Sequence, residues 1–456
     1  MLEAQYRPIA PVADWLAIIE RARWDEHLAR LRKARQGVPA DVWTSVQRRL
    51  LRVAAFDTGA LDGLYPANPE LTGRLAHPAV PEGQSAGTVT EALNAFVSHQ
   101  LLGYRMAAEV AEGGGAVDSD FIRRLHAQLT GPQETFLTVT PKGEEVLPLP
   151  RGEYKQILNL RESPDGSAAP YAPVQLVPRE MDRLVEQLNG PEFLQAHPAV
   201  QAAYAHHAIT QIHPFADANG RVARALASVY FSRAAGVPLL ILHEQWSSYN
   251  AAERRADDAS EKELIDFMYA RGIDAMDLAT SLLSPLPATL RAKLESWEPV
   301  ATPASIVDGA AARLVFDALG TELRERLIAP PAGIRLGLTL SSPGDRAAPA
   351  IPPVIAALTA RSLKQVNDPE TGNDGVVLAL QSDRPPARRI ERRFLAVVST
   401  VAGDVMPVGI LEEATGAHLA LSLQDVDPLL TDMARMRLRA WVSSLVARLY
   451  AEMINS

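Results

Sequence analysis

The sequence predicts a mainly α-helical fold that contains one β-hairpin and is followed by a smaller α+β unit. Apolar residues recur at helical spacing through most of the chain up to about residue 283. Beyond about residue 303, short runs of strand-forming residues alternate with loops rich in proline and glycine. The intervening segment, 284–303, carries proline near both ends and is therefore the best domain boundary.

The region before this boundary divides into two parts. Residues 1–87 form an N-terminal helical region, in which 15–53 has the apolar spacing of helices that pack on a core. A polar connection with proline and glycine at 66–87 ends this region. Helical periodicity then resumes, and we expect a core domain at 88–283.

The last part, 304–456, is predicted to be an α+β domain of unassigned role. A long helix at 428–454 closes it, and it shows neither a catalytic constellation nor an internal repeat. Its strand-like runs lie at 334–340, 375–380 and 394–401.

One segment, 213–224, concentrates the residue types of a phosphate-handling site and reads HPFADANGRVAR. The residues that follow, 221–236, have helical spacing, and Asp217, Asn219 and Gly220 are residue types that begin helices. The segment therefore leads into a helix N-terminus, whose free N–H groups and dipole attract anions.

The side chains around this helix start suit a reaction of nucleotide phosphates. Gly220 has no side chain that would hold a phosphate at a distance, and Arg221 and Arg224 share one helical face. Asp217 offers an oxygen ligand to Mg²⁺, which usually takes only one or two protein carboxylates when it bridges phosphates. His213 can accept a proton from a hydroxyl near neutral pH.

The segment resembles the signature of the Fic family, H-P-F-x-(D/E)-(G/A)-N-G-R-x-x-R, at every fixed position. The resemblance implies a Fic-type helical core and a protein adenylyltransferase, which transfers AMP from ATP to a Ser, Thr or Tyr hydroxyl and releases pyrophosphate. It implies that His213 is the general base, that Asp217 holds Mg²⁺, that the backbone of Asn219 and Gly220 lines an anion hole, and that the two arginines bind the outer phosphates. The ATP-binding set it implies is Phe215, Ala218, Asn219, Gly220, Arg221, Arg224, Tyr249 and Asn250.

Two positions bear on the choice of reaction. Relatives called Doc, which resemble phosphotransferases, also carry alanine at the position of Ala218 but have lysine at the position of Gly220. A lysine would add bulk and charge to the phosphate cradle, so its absence here favours the AMP-transferring orientation of ATP. The alternatives are a Fic-type phosphotransferase, another nucleotidyltransferase, or a nucleotide-sensing regulatory protein without turnover. We expect alanine at 218 to fit the loop, although it lacks the freedom of glycine to adopt positive φ.

A target-binding flap is predicted upstream. Residues 151–160 combine a glycine turn with strand-like residues, and a polar turn follows at 163–166. They resemble the Fic flap, a hairpin that holds the target segment by edge-strand hydrogen bonds, and a plain surface hairpin is the alternative. The residues assigned to target docking are Tyr154, Lys155, Gln156 and Ile157.

Thr58, Asp62 and Gly63, within 54–65, resemble an inhibitory helix with the pattern (S/T)-x-x-x-E-(G/N). In Fic proteins that glutamate pairs with the second arginine of the signature and denies it to the γ-phosphate. Aspartate is one methylene shorter, so we expect its pair with Arg224 to be weaker or absent. The alternative is a helix end capped by Gly63, with Asp62 solvated.

Other residues near the signature receive weaker assignments. By the same resemblance, Tyr249 and Asn250 form a wall of the adenine pocket by stacking and hydrogen bonding. His206 and His207 cannot face the same way on a helix, and we interpret them as packing or surface groups.

Composition narrows the remaining function classes. The chain has 456 residues, of which 47% are hydrophobic, and no cysteine, which excludes thiolate nucleophiles and cysteine metal sites. Its net charge of −9 argues against a broad electrostatic hold on nucleic acid. Because it has neither a signal-peptide start nor a long apolar run, we expect a cytoplasmic protein away from membranes. The expected partner is a protein substrate of unknown identity, and self-modification and homodimerisation are further hypotheses.

Overall fold

A computed structural model of the chain describes fifteen stretches of the sequence. They are residues 6–16, 19–65, 91–140, 143–158, 160–162, 168–257, 260–283, 317–323, 334–341, 363–366, 375–382, 389–399, 408–412, 418–421 and 432–455. The chain folds into two compact units, one within 1–67 and 81–284 and the other mainly within 285–456.

The first unit is helical, as its apolar periodicity predicts. Short 3₁₀ turns lie at Val12–Trp15, Val174–Leu176 and His243–Gln245. Its helices are α1 (Arg21–Arg35), α2 (Ala40–Leu61), α3 (Glu91–Glu112), α4 (Ser119–Leu129), α5 (Val177–Asn189), α6 (Pro191–Gln195), α7 (Pro198–Ile212), α8 (Asn219–Ala235), α9 (Trp246–Asp257) and α10 (Glu261–Leu283).

Local sequence explains where several of these helices begin and end. Asp118 caps α4, because its carboxylate accepts a hydrogen bond of 2.6 Å from the Phe121 N–H. Pro198 occupies the first turn of α7, where its missing N–H is of no consequence, and His197 caps the same turn. Gly236 ends α8 in a left-handed conformation with φ 73°.

The core of this unit is the antiparallel pair α7 and α8, which pack against each other over much of their length and are buried on nearly all sides. Helices α3 and α4 cover α8, α10 packs on α7, and α2 packs on α3 and α10. The 213–224 segment spans the loop between α7 and α8 and the first turns of α8. Because both flanking helices lie in the core, this loop is held at both ends by rigid structure.

Two small antiparallel hairpins accompany the helices. Strands β1 (Thr135–Thr140) and β2 (Gly143–Pro148) pair with Thr135 opposite Pro148, and β3 (Leu160–Glu162) pairs with β4 (Ala168–Pro170). Strands β3 and β4 lie on the two sides of the turn predicted at 163–166, so a hairpin is present at the predicted flap, although residues 151–158 form turns and loop. The longer β1–β2 hairpin was not predicted, although its strands carry the alternating and β-branched residues expected of a strand.

The second unit contains a six-stranded antiparallel sheet and a long helix. The elements are β5 (Ile334–Ser341), β6 (Leu363–Val366), β7 (Gly375–Ser382), β8 (Arg389–Ser399), β9 (Val408–Glu412), β10 (His418–Leu421) and α11 (Asp432–Asn455). The strands follow the order β10-β9-β8-β7-β5, and β6 also pairs with β8. The predicted strand runs and the closing helix fall within these elements, apart from 400 and 401 and 428–431, which lie outside the described residues.

Alternation along β7 explains how this sheet buries one face. Val376, Leu378 and Leu380 are each 1% exposed, as expected for every second residue of a strand. Among the described residues of both units, no helix combines the length and the apolar character needed to cross a membrane. The separate boundary predicted between 87 and 88 remains a prediction.

Candidate active site

His213 ends α7 in an unusual conformation. It adopts left-handed backbone angles (φ 53°, ψ 59°), and its N–H donates to the Ile209 carbonyl at 2.9 Å. Its Nδ1 lies 3.4 Å from the Thr210 carbonyl, which can only accept, so Nδ1 carries the proton and Nε2 is left as a base. The ring stacks on Tyr171 with centroids 3.9 Å apart, which fixes its plane.

The loop after His213 is fixed residue by residue. The Lys155 N–H donates to the Pro214 carbonyl at 2.8 Å. The Asn219 side chain closes the loop on itself, because it accepts from the Phe215 N–H at 3.0 Å and donates to the Phe215 carbonyl at 2.9 Å. Phe215 is fully buried and anchors the loop in the core, and its assignment to ATP contact remains a prediction.

His126 on α4 is a supporting residue that was not predicted from the sequence. Its ring stacks on Phe215 at 3.9 Å, its Nδ1 accepts from the Gly152 N–H at 2.9 Å, and its Nε2 lies 3.2 Å from the Asp217 carbonyl. Burial lowers the pKa of His126 to about 3, so the ring is neutral and Nε2 donates to that carbonyl. No local motif marks a lone histidine on a helix as part of a site so far along the chain.

Helix α8 begins without a side-chain cap. Ala218 stands at the cap position with φ 63°, and the first helical hydrogen bond runs from the Val222 N–H to the Ala218 carbonyl. The preceding N–H groups of Asn219, Gly220 and Arg221 form the open turn of the helix. Contrary to expectation, alanine here adopts positive φ, a conformation that costs an ordinary residue about 1–2 kcal/mol.

The two signature arginines converge on a single carboxylate. Arg221 Nε donates to Asp62 Oδ2 at 2.9 Å, and Arg224 Nη2 donates to Asp62 Oδ1 at 2.5 Å. Thr58 completes the contact, because its hydroxyl accepts from Arg224 Nε at 2.8 Å and its carbonyl accepts from Nη2 at 3.0 Å. Burial alone would lower the pKa of Arg224, but the charge of Asp62 raises it above its usual range, so this arginine stays charged.

This contact corrects the expectation for Asp62. The pair with Arg224 is present despite the shorter side chain, and Asp62 pairs with Arg221 as well. The alternative, in which Gly63 caps the end of α2, is also met in part. Gly63 has φ 70°, its N–H donates to the Ala60 carbonyl, and the Leu64 N–H donates to the Gly59 carbonyl. The end of the helix therefore directs Asp62 toward the two arginines, and the Asp62 carboxylate is not simply solvated.

Gly220 makes this close approach possible. A Cβ at this position would lie 3.0 Å from Arg224 Nη1 and 3.4 Å from Asp62 Oδ1. The carboxylate of Asp62 thus sits against the open first turn of α8 and between the two guanidinium groups. In this structure an intramolecular anion occupies the place that the sequence predicts for phosphate.

Asp217 is suited to bind Mg²⁺ only when phosphate oxygens supply further ligands to the ion. Its side chain is 42% exposed, and Gln133 Nε2 donates to its Oδ2 at 2.6 Å. Gln133, which also accepts from Arg221 Nη2 at 2.8 Å, was not recognised in the sequence. Among the described residues no cluster of three metal-ligating side chains occurs, so Asp217 fits an ion that bridges phosphates and does not fit an all-protein metal site.

The residues assigned to target docking divide into buried and accessible ones. Lys155 is only 1% exposed, burial lowers its pKa to about 8, and its N–H is paired with the Pro214 carbonyl; its role in docking remains a prediction. Tyr154 is half-buried beside Phe215. Gln156 and Ile157 line a cavity of about 320 Å³ together with Phe136, Thr138, Leu147, Pro148, Leu149, Pro150 and Ala216.

The two residues predicted to contact adenine, Tyr249 and Asn250, differ in how deeply they are buried. Tyr249 is 4% exposed, and its hydroxyl lies 2.8 Å from His206 Nε2 and 3.5 Å from Arg224 Nη1. Its ring is therefore packed in the core in this conformation, and its stacking on adenine remains a prediction. Asn250 is partly exposed on the same helix, and its contact with the base remains a prediction.

Comparison with known proteins relates this site to one family. Residues 116–231 match the Fic/DOC family. Over 125 residues the chain is 32% identical to the protein adenylyltransferase Fic of Drosophila persimilis, a match that covers 26% of this chain and 25% of that protein. It is also 32% identical over 107 residues to the protein of the same name from Drosophila mojavensis, with 24% of this chain and 21% of that protein covered. The matched part is thus about a quarter of these relatives' length.

Solved structures of similar proteins carry the same family name. A Fic domain containing signaling protein from Bacteroides thetaiotaomicron is 17% identical, and the match covers 57% of this chain and 96% of that chain with a TM-score of 0.47. Fic-1 from C. elegans is also 17% identical, with 57% of this chain and 72% of that chain covered and a TM-score of 0.41.

Proposed function

Because the chain is a Fic family protein, we propose that it is a protein adenylyltransferase, which transfers AMP from ATP to a hydroxyl of a protein target. The observation that carries the proposal is the carboxylate of Asp62 held by Arg221, Arg224 and the first turn of α8. A cradle that holds a carboxylate through two guanidinium groups and an open helix end also suits the outer phosphates of a nucleotide.

The chemistry follows from the fixed tautomer of His213. The target hydroxyl oxygen attacks the α-phosphorus of ATP, and Nε2 of His213 accepts the hydroxyl proton as the new oxygen–phosphorus bond forms. The bond between the α-phosphorus and the bridging oxygen breaks, and pyrophosphate leaves with the electron pair. Arg221 and Arg224 hold the departing phosphates, where negative charge accumulates.

Magnesium, when bound with ATP, would neutralise phosphate charge at the exposed oxygens of Asp217. Gln133 orients that carboxylate through its bond to Oδ2 and links it to Arg221. His126 fixes the backbone of Asp217 from the other side through its carbonyl. The chain's own contribution at this point is a pre-oriented carboxylate, so little reorganisation accompanies binding.

Asp62 gives this enzyme a low-activity resting state. The guanidinium groups that ATP needs are already paired, and both lie within the core at 1% and 2% exposure. ATP must therefore displace the carboxylate before its outer phosphates can bind, and that competition lowers its apparent affinity.

We place the target segment beside the β1–β2 hairpin. The cavity next to Ile157 is largely apolar and is closed by Ala216, which lies in the loop that carries His213. Gln133 anchors the start of this hairpin to Asp217, so the hairpin and the reacting centre are coupled. An extended target segment along the hairpin would present its hydroxyl near the loop while a neighbouring side chain enters the cavity.

The proposal is tested by incubating the Asp62→Ala protein with Mg²⁺ and ATP labelled at either the α- or the γ-phosphate, in the presence of a cell lysate. We expect the α-label to transfer, mass spectrometry to find AMP on a hydroxyl, and the Asp62→Ala/His213→Ala protein to lose transfer by about a hundredfold or more. Transfer of the γ-label would indicate a phosphotransferase. Transfer that is insensitive to His213→Ala would contradict the assigned base.

A further inference from the structure

A buried chain of polar groups runs from α9 to the signature arginine on α8. Glu253 lies 2.8 Å from His206 Nδ1, His206 Nε2 lies 2.8 Å from the Tyr249 hydroxyl, and that hydroxyl lies 3.5 Å from Arg224 Nη1. His206, Tyr249 and Arg224 are 0%, 4% and 2% exposed. The two adjacent histidines are therefore not simple packing groups, because His206 belongs to a network that ends at the phosphate cradle.

Glu253 is the charged end of this chain of contacts. Its carboxylate also accepts from the Thr210 hydroxyl at 2.9 Å and lies 3.8 Å from His207 Nδ1. Burial would raise the pKa of Glu253, but His206 and His207 lower it below its usual range, so it is an anion. The 2.8 Å approach of His206 Nδ1 to this anion is a charge contact that holds the imidazole ring in place.

The Tyr249 hydroxyl links His206 to the arginine. It lies 2.8 Å from His206 Nε2, and burial raises the pKa of Tyr249, so the hydroxyl keeps its proton. The hydroxyl oxygen accepts from Arg224 Nη1, because a guanidinium group can only donate.

The nitrogen that Tyr249 engages is the one that faces the helix start. Arg224 Nη1 lies 3.0 Å from where a Cβ on Gly220 would stand, whereas Nε and Nη2 are directed to Thr58 and Asp62 on α2. When Asp62 moves away, Arg224 Nη2 loses its carboxylate partner. The contact between Arg224 Nη1 and Tyr249 does not depend on α2, because Tyr249 lies on α9.

We infer that Glu253, His206 and Tyr249 form a positioning relay, which keeps the Arg224 guanidinium aimed at the outer phosphates of the nucleotide after Asp62 has left. The inference rests on the proposed function for the identity of the ligand. The relay itself is a property of the folded chain, and its coupling to Arg224 exists without ATP. Tyr249 and His206 contact no reacting atom and act through the arginine.

A thermal-unfolding cycle tests the relay without nucleotide. Tyr249→Phe removes only the hydroxyl, and Tyr230→Phe is a matched control because the Tyr230 hydroxyl is fully buried on α8 with no hydrogen-bond partner among the described residues. Each is combined with Asp62→Ala. We expect the Tm shifts of Tyr249→Phe and Asp62→Ala to be non-additive, because both act on Arg224, and those of Tyr230→Phe and Asp62→Ala to add. Additive shifts in both pairs would overturn the relay.

Nucleotide binding tests its role in aiming the arginine. In the Asp62→Ala background we expect Tyr249→Phe to weaken ATP binding about tenfold and to leave AMP binding unchanged, since AMP lacks the outer phosphates. Tyr230→Phe should change neither. Equal losses for ATP and AMP, or none, would overturn the inference. If the Asp62→Ala protein binds no ATP, the proposed function fails, and the unfolding cycle still decides the relay.

A conservative substitution separates the relay from general packing. The amide of His206→Gln can donate to Glu253 and accept from Tyr249, whereas His206→Leu can do neither. We expect His206→Gln to retain most of the ATP affinity and His206→Leu to reproduce the loss seen with Tyr249→Phe. A loss of the same size in both His206 variants would contradict a role through directed hydrogen bonds.

Discussion

Two single residues of the site adopt backbone conformations that side chains normally avoid. His213 and Ala218 are the non-glycine residues with positive φ among those the structure describes. They stand at the two ends of the loop that leads from α7 into α8. Such strain persists only where the surroundings enforce it, and here Asn219, His126 and Lys155 do so.

Ala218→Gly should therefore stabilise the protein. Glycine at position 218 relieves the strain of φ 63°, which stabilises the folded protein by about 1–2 kcal/mol. Its greater conformational freedom in the unfolded chain costs about 0.4–1 kcal/mol of this stability. We expect a net gain of up to about 1 kcal/mol in the free energy of unfolding, measured by denaturant titration. A loss of stability would show that the loop does not enforce this conformation. The matched change Ala223→Gly, inside α8, should instead destabilise by about 1 kcal/mol.

His126 should make the fold sensitive to acid. Because its pKa is about 3 in the folded protein and ordinarily 6.5, the unfolded chain binds more protons between these values. Its contribution to stability is complete above about pH 6.5 and decreases as the pH falls toward 3, by up to about 1.4 kcal/mol per pH unit.

The difference between wild type and His126→Phe isolates this group, since His197, with a pKa of about 4, titrates in both proteins. We expect the wild type to lose more stability than the variant on going from pH 7 to pH 5, measured by urea unfolding at each pH. Parallel curves would mean that the ring is not buried in its neutral form.

Among the helices and strands, the end of α2 is the element that holds Asp62 against Arg221 and Arg224. Residues 53–61 of this helix are all buried, and the Tyr65 hydroxyl returns to donate to the Phe56 carbonyl at 2.9 Å. The left-handed Gly63 completes the turn. Small changes in this turn therefore move Asp62 with respect to the arginines.

Gly63→Ala should raise activity by loosening this turn. A Cβ at position 63 meets no atom within 4 Å, so the change adds only the strain of φ 70°, about 1–2 kcal/mol. We expect AMP incorporation to rise severalfold. Gly37→Ala is the matched control, because Gly37 has φ 78°, is equally open, and follows the end of α1 away from the site. A similar rise in both variants would point to general loosening of the fold.

The β1–β2 hairpin offers a separate test of target docking. Ile157→Lys would place a charge in the apolar cavity, while Leu137→Lys changes a 64% exposed residue on the other face of the hairpin. In the Asp62→Ala background we expect Ile157→Lys to reduce transfer to a protein target at least tenfold without changing ATP binding, as measured by calorimetry. Leu137→Lys should leave both unchanged; equal transfer by the two variants would remove the cavity from the docking surface.

Among the described residues, the helical unit, three strands of the second unit and the signature loop could be predicted from the sequence because each rests on local pattern. Asp62 was likewise assigned to the correct partner, although its pair with Arg224 was expected to be weaker or absent. The β1–β2 hairpin was missed, because the proline and glycine at 141 and 143 are equally typical of a loop.

Residues that act through tertiary contacts could not be found in the sequence. Gln133, His126, His206 and Glu253 each contribute one side chain to the site from a different part of the fold. Tyr249 was assigned to the adenine pocket, and only the fold shows that its hydroxyl contacts Arg224. The second unit remains without an assigned function.

The proposed resting state depends on competition between Asp62 and the outer phosphates of ATP for the two arginines. Calorimetric titration of wild type and Asp62→Ala with ATP and with AMP, in Mg²⁺, measures that competition directly. We expect Asp62→Ala to bind ATP at least tenfold more tightly than the wild type while AMP affinity is unchanged, because only the outer phosphates compete with the carboxylate. Equal ATP affinity in the two proteins, or an equal gain for AMP, would contradict it.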